Sequence, residues 1–378
     1  MSGVYITKAA KFLPNNPIPN DEMESYLGMI DGLPSKGKSL TLRSNGIKTR
    51  YYSIDKTGKS THSNAKMTAL AIEKLTDNGF KQSDIELLAC GTTSPDNLLP
   101  SHTVMVHGEL KCGPVELVST AGACCASMQA LKYGFNSIMA GSTNNAVCTG
   151  SEKLSSLMRA EHFEKETERL AEMDKNPIIA FEKDFLRWML SDGAGALLLE
   201  KQPRENGVSL KIEWIEIKSF ANQLETCMYA GADKTDDGNT KGWKEYSSVE
   251  WLRKSIFAFK QDVKLLGKEI VPTGTKYLKE ILLKKEFDIT TIDYFLPHLS
   301  SEFFRQKIAE EIVKYNIQIP QEKWFTNLSS VGNIGSGSIF IMLEELMNSG
   351  KLKKGQKILL MVPESARFTY SYCLLTVC

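Results

Sequence analysis

Apolar positions along the chain fall into two rhythms. Short continuous runs alternate with longer stretches at helical spacing, the pattern of an α/β protein. Val4 to Phe12 reads as an opening strand, and Pro14, Asn15, Asn16 and Pro17 break it. Asn20 to Glu24 resembles a capped helix start, residues 35–45 are polar and basic enough for a loop, and Gly46 to Tyr52 turns into an extended segment. Asn64 to Leu75 has helical spacing with Asn64 as N-cap. Ile85 to Cys90 is a buried strand that runs into the turn-rich loop Gly91 to Ser101, with Leu98 and Leu99 at its tip. Leu117 to Leu131 passes from strand through a turn of small residues into a helix that ends at Gly141, and Cys124 stands at the helix start.

The second part continues the alternation. Strands are expected at Asn145 to Ser151, after the turn Asp192-Gly-Ala-Gly-Ala196, and at Ser209 to Ser219. Residues 153–186 are strongly charged, a solvated helical face or, alternatively, a lid. Residues 231–247 form a surface excursion, and helices follow near 248–267, 272–286 and 302–315. Tyr294 onward is a short strand ending at His298, and another begins at Trp324 to Asn327. Leu328 to Ser338 is a small-residue turn containing Asn333, followed by a helix to about Asn348 and strands at Lys357 to Val362 and Phe368 to Val377. Cys124 precedes Gly141 by 17 residues, and Asn333 precedes Gly350 by 17, each followed by a buried strand. This faint repeat predicts two similar halves, 1–205 with the cysteine and the charged insertion 153–186, and 206–378 with the histidine and asparagine, facing each other around one site.

Composition narrows the function classes. The chain has 378 residues, 42% hydrophobic and 24% charged, ordinary for a globular protein with a large core. A formal net charge of +1 gives no reason to expect nucleic acid or an anionic membrane as partner. No apolar run approaches the roughly 20 residues of a membrane span, and the first residues show no signal-peptide core. Eight scattered cysteines without a CxxC pair suggest reduced thiols and a cytoplasmic location. No zinc spacing, GxxxxGK[ST] or GxGxxG is present, so no metal or cofactor is expected.

Three residues form a chemically coherent set. At a helix start, unpaired N–H groups and the positive dipole end favour a thiolate at Cys124. Taken singly, Cys124 is a small core residue, His298 a core histidine and Asn333 a turn residue. Taken together at the strand ends of two halves, they suit thioester chemistry. The thiolate would take an acyl group, and His298 and Asn333 would donate to a developing enolate.

The residues around this set resemble the thiolase superfamily, and most closely its ketoacyl-acyl-carrier-protein synthase III branch, over almost the whole chain. Gly46-Ile-Lys-Thr-Arg50, Thr92-Thr-Ser94 with Pro100-Ser101, Ala121-Gly-Ala-Cys124, Asp192-Gly-Ala-Gly-Ala196, Pro297-His298 and Gly332-Asn333 carry the resemblance. It implies a five-layered αβαβα fold, a homodimer and acyltransferase activity, with Cys124, His298 and Asn333 catalytic. It also implies an oxyanion site at the backbone N–H groups of Cys124 and Ala366, and Leu99 of the partner bordering an acyl tunnel. The departures are Leu299-Ser300-Ser301 after the histidine, which alters a pantetheine contact at Ser301, and Leu40 and Ser44 where the family stacks coenzyme A. A carrier-protein thioester is therefore the expected donor. Arg367 stands in the segment that is glycine-rich in the family, as a salt-bridge partner or a ligand for a carboxylate or keto oxygen. Three further stretches, including Pro297-His-Leu-Ser-Ser-Glu-Phe-Phe304, look like the dialkylresorcinol-condensing subgroup, which joins two acyl or β-ketoacyl chains and closes a six-membered ring. A fatty-acid initiating synthase and a non-catalytic scaffold subunit are the alternatives.

Overall fold

The computed structural model describes residues 3–35, 37–162 and 186–378. Most of the charged insertion expected at 153–186 therefore lies outside the described residues. Among the described residues, nine strands share one sheet. They are β1 (Tyr5–Phe12), β2 (Leu87–Thr92), β3 (Glu116–Ala121), β4 (Asn145–Glu152), β5 (Gly193–Glu200), β6 (Leu210–Ser219), β7 (Tyr294–Pro297), β8 (Lys357–Glu364) and β9 (Thr369–Val377). Their order is β7-β8-β9-β6-β1-β5-β4-β2-β3. The two flanks meet at β1 and β6, which pair only at Tyr5 with Lys211 and Ile6 with Leu210.

Counted outward from that join, the first flank runs first, last, penultimate, second and third strand. The other flank runs the same way, β6, β9, β8, β7, and its third place is taken by a single bridge from Trp324 to Phe295. The strand expected at Trp324–Asn327 is thus reduced to one bridge, fixed by the Phe325 N–H donating to the Phe295 carbonyl at 2.9 Å.

Alternation along the strands produces the layers. In β2, Leu87 and Ala89 face one core and Leu88 and Cys90 another. The outer face of this flank is covered by α1 (Asn64–Glu73) and α2 (His102–Glu109). In β8, Ile358 and Leu360 face inward, whereas Leu359 and Met361 meet the outer helices α4 (Val263–Lys284) and α5 (Phe303–Lys314). Between the flanks lie α3 (Ala126–Met139) and α6 (Ser338–Met347), whose Met128, Leu131, Ile339 and Leu343 share the inner core. Helices, one flank of the sheet, the central helices, the other flank and helices make five layers, the thiolase-like αβαβα architecture. Both central helices stop at glycines with left-handed backbone, Gly141 at φ +76° and Gly350 at φ +71°.

Several local expectations are corrected. Residues 38–45 form a helix, not a loop. Thr41 and Asn45 are buried and Gly46 ends it at φ +70°, but Leu40 and Leu42 are too few to show a helical stripe. The N-cap of α1 is Ser63, which accepts from the Lys66 N–H, while the Asn64 amide donates to Thr92 Oγ1 and the Ser94 carbonyl. Helices near 248–267 and 272–286 become a short turn of helix at Ser248–Arg253 and the unbroken α4, which runs through Pro272. The Tyr370 and Tyr372 hydroxyls donate to the Ile270 and Gly274 carbonyls on either side of that proline.

The flanks approach closely at Gly150 in β4. A Cβ there would lie 2.3 Å from the Ser336 carbonyl oxygen and 2.6 Å from Ser127 Cβ. Gly150→Ala should therefore lower unfolding free energy by about 1–3 kcal/mol. Gly267→Ala, on an exposed helical position with open space around it, should raise it by about 0.5–1 kcal/mol. Urea denaturation of both variants checks the pair, and a neutral Gly150→Ala would contradict the close approach.

Candidate active site

The nucleophile turn connects β3 to α3. The helix begins at Ala126 with Cys125 as N-cap, so Cys124 lies just before it and not in its first turn. Glu364, the last residue of β8, reaches across from the other flank. Its Oε2 accepts the Ala123 N–H at 3.0 Å and the Cys125 N–H at 2.9 Å. These N–H groups flank Cys124 and precede the first turn of the helix, and a carboxylate occupies them. Burial pushes the Cys124 thiol well above its usual range, and the charges of Glu364 and Glu152 add to the effect. These effects favour the thiol form of Cys124 over the thiolate expected at this position.

Cys124 is partly exposed and lines a cavity, whereas Cys125 is fully buried with its Sγ against the Val362 carbonyl at 3.3 Å. The cavity holds about 940 Å³ of space free of protein atoms, its mouth included. His298 and Asn333 line the same cavity.

His298 follows β7, and its N–H continues the ladder to the Met361 carbonyl at 2.8 Å. Its Nε2 is buried and has no hydrogen-bond partner. Burial alone lowers its pKa to about 4, so the imidazole is neutral near pH 7. Asn333 is held from both sides, its N–H donating to Met189 O at 3.0 Å and its carbonyl accepting from the Ser191 N–H at 2.9 Å. Asn333 Oδ1 accepts the Gly335 N–H at 2.9 Å, which leaves Nδ2 as the end available to a ligand. Three polar groups thus converge in a space whose walls are otherwise largely apolar. Leu266, Ile270 and Val271 of α4 and Phe304 and Ile308 of α5 supply much of that surface.

The remaining expected residues fall elsewhere. Ser301 is fully buried, donates to the Ser44 carbonyl and accepts from the Phe303 N–H, and it is Ser300 that reaches the wall. Arg367 points away from the cavity. Its Nε donates to the Leu224 carbonyl and its Nη2 to Asn239 Oδ1, so it is neither a ligand for substrate oxygen nor a salt-bridge partner in these contacts. Ala366 is not on the wall although Pro363 and Ser365 are, and its carbonyl accepts from the Cys227 and Met228 N–H groups. Leu99 lies 87% exposed at the loop tip, away from this chain's own cavity. Asp192, in the small-residue motif, is a structural clamp. It accepts from the backbone of Ser53, Leu154 and Ser155 and holds Leu154 at the cavity wall.

Sequence reasoning missed Glu364, Glu152 and the two tyrosines. An acidic residue at the end of the apolar run from Lys357 was the available signal for Glu364. The two-residue spacing of Tyr370 and Tyr372, which places both on one strand face against the cavity, was the other. Among the described residues no cluster of histidine, cysteine or carboxylate could hold a metal ion, and no helix is long and apolar enough to cross a membrane.

The layering is that of the thiolase fold, and a cysteine, a histidine and an asparagine line one cavity within it. Residues 42–204 match the profile of the β-ketoacyl synthase N-terminal domain, and residues 282–371 that of the 3-oxoacyl-[acyl-carrier-protein] synthase III C terminal. Both matches, together with the relatives, support a synthase III-like condensing acyltransferase of the thiolase superfamily. Relatives include the β-ketoacyl-[acyl-carrier-protein] synthase III of Clostridium perfringens, 27% identical over 92% of each chain. That of Chlorobaculum tepidum is 25% identical over 94% of each. Similar solved structures include the tetronic acid condensing enzyme AbyA1, with a TM-score of 0.77 and 19% identity over 99% of both chains. A single-substitution variant of Xanthomonas campestris OleA has a TM-score of 0.75 and 19% identity over 99% of this chain and 98% of its own. Aquifex aeolicus 3-oxoacyl-[acyl-carrier-protein] synthase III has a TM-score of 0.70 and 21% identity over 99% and 100%.

The burial of His298 has a direct consequence. Its NMR resonance, assigned by its loss in His298→Gln, should titrate with a midpoint near the pH 4 set by burial. A midpoint near the ordinary value of about 6.5 would contradict a desolvated imidazole.

Proposed function

We propose that the protein forms carbon–carbon bonds between two thioester-borne chains, with Cys124 carrying the acyl group. The convergence of Cys124, His298 and Asn333 on one largely apolar cavity carries this reading. Because the thiol rests protonated, sulfur attack on the acyl carbonyl needs a base. His298 is the one histidine, lysine, arginine or carboxylate among the described cavity-lining residues. Its neutral imidazole takes the thiol proton as the carbon–sulfur bond to Cys124 forms, then returns it to the departing thiol. The backbone N–H of Cys124, which lines the cavity, is the proposed oxyanion donor, and Ala366, off the wall, is set aside.

The second substrate is a β-ketoacyl thioester on an acyl carrier protein. Its carbon-2 hydrogen is acidic because two carbonyls flank it. His298, neutral again after the acylation step, takes that proton, and as the thioester oxygen gains charge the imidazolium N–H and Asn333 Nδ2 donate to it. Carbon 2 then displaces Cys124 from the acyl carbon, and the leaving sulfur recovers the proton from His298, so the thiol and the neutral imidazole are both reformed. An internal closure, in which a second carbanion of the joined chain attacks the remaining thioester carbonyl and releases the carrier-protein thiol, gives a cyclohexanedione-type precursor of a dialkylresorcinol. A cavity with apolar walls on both α4 and α5 suits a substrate with alkyl chains. The names of the sequence relatives favour a second reading, an initiating synthase that condenses with malonyl carrier protein and releases carbon dioxide.

The active form is proposed to be a homodimer in the cytoplasm. β3 is an edge strand with exposed positions, and Leu98 and Leu99 stand beside it 81% and 87% exposed, a combination that isolated monomers seldom leave uncovered.

Two tests follow. Intact mass after incubation with a medium-chain acyl thioester should show one acyl adduct, absent in Cys124→Ala. Product analysis with added β-ketoacyl carrier protein should then give the condensed chain without carbon dioxide, whereas turnover only with malonyl carrier would select the initiating synthase. An unmodified Cys124, or full activity in Cys124→Ala, removes the condensing reading. Sedimentation should give a dimer that Leu99→Glu weakens, and a monomeric wild type at micromolar concentration would refute the dimer.

A further inference from the structure

The two halves place a glutamate at the same point of the same strand. Glu152 ends β4, the strand after central helix α3, and Glu364 ends β8, the strand after central helix α6. Each crosses to the turn that opens the other half's central helix. Glu152 Oε1 accepts the Ser336 N–H at 3.2 Å and the Ser336 hydroxyl at 2.8 Å, just past Asn333. Glu364 Oε2 accepts the N–H groups on both sides of Cys124 and leaves the N–H of Cys124 itself. Glu152 also accepts the Thr93 and Ser94 hydroxyls, so its carboxylate serves several loops. Glu364 has a narrower set of donors, the nucleophile turn and the Thr369 side chain. Gly122, at φ +152°, brings the chain into this grip, and a Cβ there would come within 3.5 Å of Glu364 Oε2.

We propose that Glu364 is the positioning residue of the nucleophile, its carboxylate gripping residues 123 and 125 so that Cys124 is presented to the cavity between two fixed N–H groups. The role rests on Cys124 being the acylated residue. A carboxylate there does two separable things. As an acceptor it holds the turn. As a charge it keeps the adjacent sulfur protonated, so that the thiol is unreactive toward small electrophiles until a base in the cavity takes its proton. The titratable groups facing Cys124 are Glu364, Glu152 and Cys125, with His298, Tyr370 and Tyr372 on the cavity wall, and no lysine or arginine among the described lining residues. Removing the charge of Glu364 therefore favours thiolate.

The two parts are separated by Glu364→Gln, which keeps a side-chain oxygen for both N–H groups, and Glu364→Ala, which keeps neither oxygen nor charge. The measurement is the pH dependence of iodoacetamide alkylation at Cys124, read by peptide mapping because Cys112 and Cys378 are also partly exposed, alongside the rate of acylation by an acyl thioester. In wild type the alkylation midpoint lies above the value of about 8.5 for free cysteine. Glu364→Gln lowers it by about one unit and acylates at close to the wild-type rate. Glu364→Ala also lowers it but acylates about tenfold more slowly, because the turn is released. A wild-type midpoint at or below that of free cysteine overturns the proposal without any variant. So does an unchanged midpoint in Glu364→Gln, or wild-type acylation in Glu364→Ala. If wild type is alkylated as described but never acylated, the condensing reading fails and the charge effect of Glu364 stands.

Discussion

The site depends on two buried carboxylates that cross in opposite directions between the halves. A carboxylate out of water is stable only when donors surround it, and each glutamate finds its donors in the other half's helix-opening turn. Burial still pushes both carboxyls above their usual range, so they are retained at a cost that only the donors offset. The short β1–β6 pairing joins the flanks at one corner, and these crossings join them at the other end, beside the cavity. Loss of either would release a turn that bears or adjoins a cavity residue, Cys124 in one half and Asn333 in the other.

The same burial determines the chemistry. A helix start usually promotes ionisation of a cysteine, yet here Cys124 lies before the helix, the N–H groups on either side of it bind a carboxylate, and the local charge is negative. Burial favours the thiol form of Cys124 and the neutral imidazole of His298, two uncharged groups lining one cavity that an apolar space tolerates far better than an ion pair. On the proposed mechanism, charge develops only when an acyl carbonyl is present to accept the sulfur. Asn333 adds a donor that carries no charge of its own and whose orientation is set by the Gly335 N–H.

Much of this was legible in the sequence. Strand runs, the Cys124 helix and the matched 17-residue spacing to Gly141 and Gly350 follow from local periodicity and from glycines that only a left-handed turn needs. The three cavity residues were legible because they sit at strand ends in small-residue turns. What stayed hidden depends on partners far away in the chain. Glu364 looks like any polar strand end until its donors, more than 230 residues earlier, are brought beside it. Ser301 and Arg367 were misplaced because neighbouring residues in a turn point in different directions, so that Ser300 meets the cavity while Ser301 packs on Ser44. The helix over 38–45 was missed because capping and burial of Thr41 and Asn45, not an apolar stripe, hold it.

The most direct measurement is a single turnover from isolated acyl-enzyme. Wild type loaded with a carbon-13-labelled acyl thioester and freed of donor should carry the label on the Cys124 peptide. Addition of β-ketoacyl carrier protein should discharge it into a product with a new carbon–carbon bond. Release of the label only as free fatty acid, or its retention on any residue other than Cys124, would contradict a condensing site built around this thiol.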